Sequence, residues 1–186
     1  MEFIYLDFYL SFEKLGGIKS MTVINNKNKE AFHSTPSNQN TYHFLSEKVT
    51  VLVSGEQTNG EYSIAHVIEP PKLGPPLHIH KDEDEAFYIL KGQFTFFVGD
   101  EIIEASAGDY VFAPRCIPHR FVSGSEQSEF IVTTTPAGFD RFIKQLGTPV
   151  SKNAPLPEVK LPSLEELQKL VKVSETFNIT YPDLKI

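Results

Sequence analysis

The chain is expected to fold as an all-β sandwich or barrel that ends in short helices, and three observations carry that expectation. Between Thr41 and Pro136, short runs rich in Val, Ile, Phe, Tyr and Thr recur at close spacing. Turn residues at Gly92, Gly99-Asp100, Gly108-Asp109 and Gly124 punctuate them. No long stretch of helical periodicity interrupts this region, which disfavours alternating strand–helix units around a parallel sheet.

Taken in chain order, residues 1–40 read as a peripheral extension and linker. The opening run Met1 to Phe12 is apolar and aromatic, but Glu2 and Asp7 break it and it lacks a basic start, so a signal peptide is not expected. Leu15-Gly16-Gly17 lies shortly before Met21, a placement that suits translation beginning at Met21, with residues 1–20 read from leader sequence. A genuine amphipathic extension is the competing reading. Residues 25–40 have the Asn, Lys, Ser and Gln content of a loop. Strands are predicted at 41–45, 49–54, 62–68, 77–81, 85–91, 93–98, 101–104, 110–113, 119–123 and 128–135. Phe139, Phe142, Ile143 and Leu146 then take helical spacing, closed by Gly147. A Pro-rich connector from Pro149 to Pro162 leads to Ser163-Leu164-Glu165-Glu166, a capping-box signature that opens a second helix. The organisation is therefore a barrel over 41–150 and a tail over 151–186, which is expected to cover a sheet face or a neighbouring subunit.

Composition narrows the function. The 186 residues carry 17 Lys+Arg against 24 Asp+Glu, a formal net charge of −7 that matches phosphate backbones poorly, so no nucleic-acid partner is expected. A single cysteine, Cys116, leaves no intramolecular disulfide and no multi-cysteine metal site. No window approaches the roughly 18 apolar residues of a membrane span. A cytoplasmic location is the expectation from these features.

Four residues concentrate the chemistry: His78, His80, Glu85 and His119. On an extended strand alternate side chains share a face, so His78 and His80 point the same way. Glu85 shares its face with Phe87 and Ile89, and a carboxylate on such a face is costly unless its charge is compensated. A divalent cation held by imidazoles supplies that compensation. His119 precedes Phe121 by two and is placed inward by the same alternation.

The spacing of these residues resembles the cupin family. Its first motif is seen in residues 74–92, G-P-P-L-H-I-H-K-D-E-D-E-A-F-Y-I-L-K-G, and its second in residues 108–119, G-D-Y-V-F-A-P-R-C-I-P-H. Chance agreement at these offsets is on the order of 10⁻⁵ per chain. The resemblance implies a single jelly-roll barrel, also described as a double-stranded β-helix, with His78, His80, Glu85 and His119 as metal ligands. The sequence departs from the family pattern at Lys72, where glycine is usual and is here displaced to Gly74, at Cys116 in place of glycine, and at Ser123 in place of asparagine. Cys116 puts a side chain into a turn that tolerates glycine, and it is expected to be a packed small residue.

Glu83 competes with Glu85 as the carboxylate ligand, but Glu85 fits the motif offset, and Glu83 is expected to be a solvated charge of the loop. Phe87, Phe96, Phe112 and Phe121 are expected to wall the pocket. His66 is a further candidate lining residue, although a satisfied structural histidine suits it better; His33 and His43 are assigned nothing. Mixed N/O ligation suits Fe, Mn, Ni, Co or Cu, and a closed zinc site is disfavoured.

Within the cupins, G-P-P-L-H-I-H, D-E-A-F-Y-I-L-K-G and T-P-A-G-F-D-R-F-I-K-Q-L-G are similar to bacterial quercetin 2,3-dioxygenase-like proteins of one barrel. That similarity implies O₂-dependent cleavage of a flavonol-like small molecule, Glu85 accepting the substrate hydroxyl proton, and a homodimer. A non-oxidative metallo-cupin (isomerase or lyase) and a non-catalytic small-molecule-binding cupin are the alternatives.

Overall fold

The structure is a computed structural model, and it describes residues 31–184. The expectations for the start of translation and for the apolar opening run lie outside the described residues. Twelve strands and two helices follow among the described residues. They are β1 (Thr41–Phe44), β2 (Glu47–Val53), β3 (Ser63–Glu69), β4 (Ile79–His80), β5 (Asp84–Lys91), β6 (Gln93–Val98), β7 (Glu101–Ser106), β8 (Tyr110–Ala113), β9 (His119–Ser123) and β10 (Ser128–Thr135). Then come α1 (Phe139–Leu146), β11 (Thr148–Pro149), α2 (Leu164–Thr176) and β12 (Ile179–Thr180). The ten predicted strands are all present, most within two residues of their expected ends. The short β11 and β12 were not predicted, because two-residue pairings leave no periodic signal.

All pairings are antiparallel. One sheet has the order β11-β1-β2-β3-β10-β5-β8, a second has β7-β6-β9, and β12 pairs with β4. Strict alternation builds the core between the two larger sheets: β3 and β10 bury every second residue, as do β5 near its start and β9 throughout. Phe87 of β5 and Phe130 of β10 meet Phe94, Phe96 and Phe121 of the smaller sheet, with ring centroids 5.1 to 6.0 Å apart. Edge-to-face geometry predominates in this cluster and adds to what area burial alone supplies. The result is the expected all-β jelly roll.

The tail does not stand apart. α1 buries Phe142 and Ile143, with Phe142 5.6 Å from Phe44 and 5.5 Å from Phe177. The capping box that opens α2 is present: Ser163 accepts from the Glu166 backbone N–H and the Glu166 carboxylate accepts from that of Ser163. α2 buries Leu170 and Ser174, then turns at Asn178 (φ 57°) so that β12 runs back along β4. The sequence boundary between barrel and tail at residue 150 thus separates two segments that share one core.

Candidate metal centre

His78 and His119 face each other across the barrel mouth. Each donates its backbone N–H to the other's carbonyl, at 3.0 and 2.9 Å, which locks the two motifs in register. His80 follows on β4 and Glu85 on β5, and all four side chains are buried. Four ligand-capable atoms, one from each, lie within 4.8 Å of one another.

The outer nitrogens of the three imidazoles are all engaged. His78 Nδ1 donates to the Pro76 carbonyl at 2.9 Å and His119 Nδ1 to the Ile117 carbonyl at 2.9 Å. His80 Nδ1 lies 3.1 Å from Glu83 Oε2. A carbonyl oxygen can only accept, so Nδ1 carries the proton and Nε2 of each neutral ring offers a lone pair. These Nε2 atoms stand 2.9 Å (His119), 3.7 Å (His80) and 3.8 Å (His78) from Glu85 Oε2. Four acceptors pointed at one spot repel unless a cation or a proton sits among them, so the donor set fits a cation.

With protons rather than a cation among these atoms, burial opposes ionisation of Glu85, yet the charge of His80 and N–H donation from His119 and His78 override it and hold the carboxyl well below its ordinary range. Burial lowers His78, whereas His80 is raised because Glu85 and Glu83 outweigh its burial.

Glu83 requires a correction. It is buried rather than solvated: one oxygen engages His80, and the other, Oε1, has no hydrogen-bond partner. A side chain at Gly138 would meet Glu83 Oε1 at 2.2 Å, so that glycine leaves the room Glu83 occupies. A carboxylate that fixes the tautomer and tilt of a ligating imidazole is the usual support of a metal site.

The pocket residues divide. Phe87 and Phe121 line a cavity of about 70 Å³ beside the histidines. Phe96 is buried one layer below, 5.1 Å from Phe87, and does not reach the cavity. Phe112 is half exposed, because on β8 the inward positions belong to Val111 and Ala113. His66 likewise falls on the outer side of β3, where its Nε2 lies 3.2 Å from Glu129 Oε2. Both are therefore removed from the pocket by the phase of their strands.

Cys116 is exposed rather than packed, with its Sγ 3.4 Å from the Lys81 carbonyl. The expected backbone consequence is present: φ is +66°, in the left-handed region, and its N–H donates to the His80 carbonyl at 2.7 Å. Ser123 takes up the other departure. Its hydroxyl donates to the Pro70 carbonyl at 2.6 Å and accepts from the Leu73 N–H at 3.0 Å, holding the loop that leads to Gly74.

Sequence reasoning missed the residues that the tail and the β1–β2 hairpin contribute. Leu170, Ile179 and Tyr181 line the cavity, with Tyr181 6.2 Å from His78, and so does Glu47. The alternation Ile179-Thr180-Tyr181 and the placement of Glu47 two residues before a predicted strand were the available signals.

Comparison with known proteins agrees with this geometry. Residues 65–134 match the family model for the cupin domain. Over these residues the barrel matches a cupin domain. An RmlC-like cupin from Shewanella frigidimarina, 22% identical, superposes with a TM-score of 0.51 over 61% of this chain and 99% of its own, and shows the same fold. Quercetin 2,3-dioxygenase of Bacillus subtilis is 25% identical over 108 residues, 58% of this chain and 32% of that protein. Quercetin 2,3-dioxygenase of Aspergillus japonicus is 32% identical over 92 residues, 47% of this chain and 26% of that protein. The chain thus spans about a third or less of the length of these relatives. Among the described residues, no helix is long and apolar enough to cross a membrane.

Proposed function

We propose that this cupin is a metal-dependent dioxygenase acting on a small aromatic or enolic compound, with His78, His80, His119 and Glu85 as ligands. The carrying observation is the commitment of the ring Nδ1 atoms, which turns three Nε2 lone pairs and Glu85 Oε2 toward one point. A divalent transition metal held there, Fe, Mn, Ni, Co or Cu in preference to Zn, would act as a Lewis acid toward a substrate oxygen and bring O₂ beside it. The chain's own part is positional. Phe87, Phe121 and Phe130 give an apolar wall against which a planar ring lies, and Ile179 and Tyr181 close the mouth against water. Glu85, the carboxylate among the four ligands, is the group placed to take the proton of an enol or catechol hydroxyl.

The cavity favours the small end of this substrate class. At about 70 Å³ it is far below the roughly 300–1,000 Å³ common for drug-sized ligands. A flavonol would enter only with displacement of β12. The similarity to the two quercetin dioxygenases supports the reaction class, while the flavonol itself is the less favoured member of the range. A homodimer and a cytoplasmic location belong to the same reading.

The test is elemental analysis of protein purified without chelator or affinity nickel, followed by oxygen-uptake assays with catechols, enolic ketones and flavonols. We expect about one transition-metal ion per chain, lost in His119→Ala, and O₂ consumption with at least one compound. Bound Fe or Mn without oxygen uptake across the whole panel would sink the dioxygenase and leave the metal centre standing.

A further inference from the structure

Two buried acids have no place in the metal centre. Glu47 opens β2 and Glu69 closes β3; the register Lys48↔Ile68 makes them cross-strand neighbours. Both are buried, Glu69 at 1% exposure, and their carboxyl groups are near enough to affect each other's charge. No basic side chain among the described residues forms an ion pair with either. Glu69 Oε2 has no hydrogen-bond partner at all. Glu47 lines the same cavity as His78, His80 and Glu85, in a wall that is otherwise almost wholly apolar.

Two adjacent carboxylates cannot both be charged in such a place. Burial is the first cause that pushes Glu47 up to about 7 and Glu69 up to about 11, and each raises the other. One proton shared between the two carboxyl groups relieves their mutual repulsion. The titratable groups facing Glu47 are Glu69 from β3 and Glu85 from β5, both of which disfavour its charge; the histidines and Tyr181 complete those of the cavity. Lys48, next on β2, points away and donates to the Ala154 carbonyl. Glu47 thus lines the cavity as an acid whose charged form is disfavoured by its surroundings.

We propose that Glu47, backed by Glu69, is the second polar anchor of this cavity. Its un-ionised carboxyl donates a hydrogen bond to a carbonyl or carboxylate oxygen of a ligand whose other end lies against His78, His80 and Glu85. The inference rests on the cavity being the ligand site of the proposed function and deepens it by specifying a two-ended ligand. An un-ionised acid also tolerates an anionic ligand that a carboxylate would repel.

Infrared difference spectra of the full chain across pH 5 to 9 read the pair directly. The wild type should lose one un-ionised carboxyl signal with a midpoint near neutral pH, and Glu47→Gln should lack that step while retaining the signal of Glu69. Absence of any un-ionised carboxyl signal at low pH, or an unchanged step in Glu47→Gln, overturns the proposal. Binding of 4-hydroxybenzoate and of phenol to Mn(II)-loaded protein at about pH 6 reads the anchor. The wild type should prefer 4-hydroxybenzoate by on the order of tenfold or more. Glu47→Gln, which keeps an N–H donor, should retain the preference, and Glu47→Leu should lose it. A preference that survives in Glu47→Leu overturns the anchor. Failure of Mn(II) to bind would instead count against the metal reading, and the same pair of ligands on metal-free protein would still decide Glu47.

Discussion

At Cys116 the backbone has a left-handed conformation that a side chain resists, and the N–H donated to His80 is what keeps it there. Cys116→Gly should therefore raise stability by about 1 kcal/mol, a Tm increase of roughly 2–4 °C for a chain of this size. A calorimetric scan showing no increase would mean that the thiol's contact with Lys81 offsets the strain. Glu83 is the opposite case, a residue whose worth lies in another side chain. Glu83→Gln should weaken metal affinity roughly 10–100-fold by loosening the orientation of His80. Chelator-competition titration measures this, and affinity equal to the wild type would reduce Glu83 to a structural residue. Neither role was visible in the order of residues. K-D-E-D reads as a solvated loop, and only the approach of Gly138, more than fifty positions away, shows that Glu83 turns inward.

Among the elements, the pairing of β4 with β12 carries the most consequence. β4 is two residues long and holds His80; its partner arrives from the far end of the chain, with Ile179 opposite His80. Ile179 is buried at 2% exposure, and Lys81 donates its N–H to the Asn178 carbonyl at 3.0 Å. Ile179→Ala should cost about 2–4 kcal/mol locally and open this clasp before the rest of the molecule unfolds. Hydrogen exchange should then quicken at residues 177–181 and at β4 while β3, β5 and β10 stay protected. Uniform acceleration across the barrel would show that the clasp does not open on its own. The alternation of β5 was fully legible: Glu85, Phe87 and Ile89 point inward, with Tyr88 and Leu90 exposed. On β8 and β3 the phase placed Phe112 and His66 outside, since aromatic character alone does not select a face.

For the whole molecule, the buried Glu47–Glu69 pair makes a statement about pH. Both acids titrate above the ordinary 4.5, at about 7 and about 11, so from about pH 4.5 up to those values the folded state binds more protons than the unfolded chain. Stability contributed by the protonated forms is complete below about pH 4.5 and declines as pH rises through the folded values. Glu69→Gln keeps a hydrogen-bond donor for Glu47 and removes the larger part of that loss. Its Tm should vary less than that of the wild type between about pH 5 and 9, and an equally steep fall would contradict the assignment. The outer face of β5 and β8 leaves Tyr88, Leu90, Tyr110 and Phe112 exposed, a surface suited to the expected homodimer. Light scattering of a monomer at micromolar concentration would count against that expectation.

What the residue order determined by itself was local: strand phase, turn positions, helix caps and two short motifs whose offsets bring three histidines and Glu85 together. Each of these depends on neighbours a few positions apart, and period-two alternation or a cap records such neighbours directly. The closure of the cavity by Ile179 and Tyr181, the inward turn of Glu83 and the pairing of Glu47 with Glu69 were decided only by tertiary structure. Those contacts join segments distant along the chain, and burial by a distant segment leaves no periodic trace in either partner.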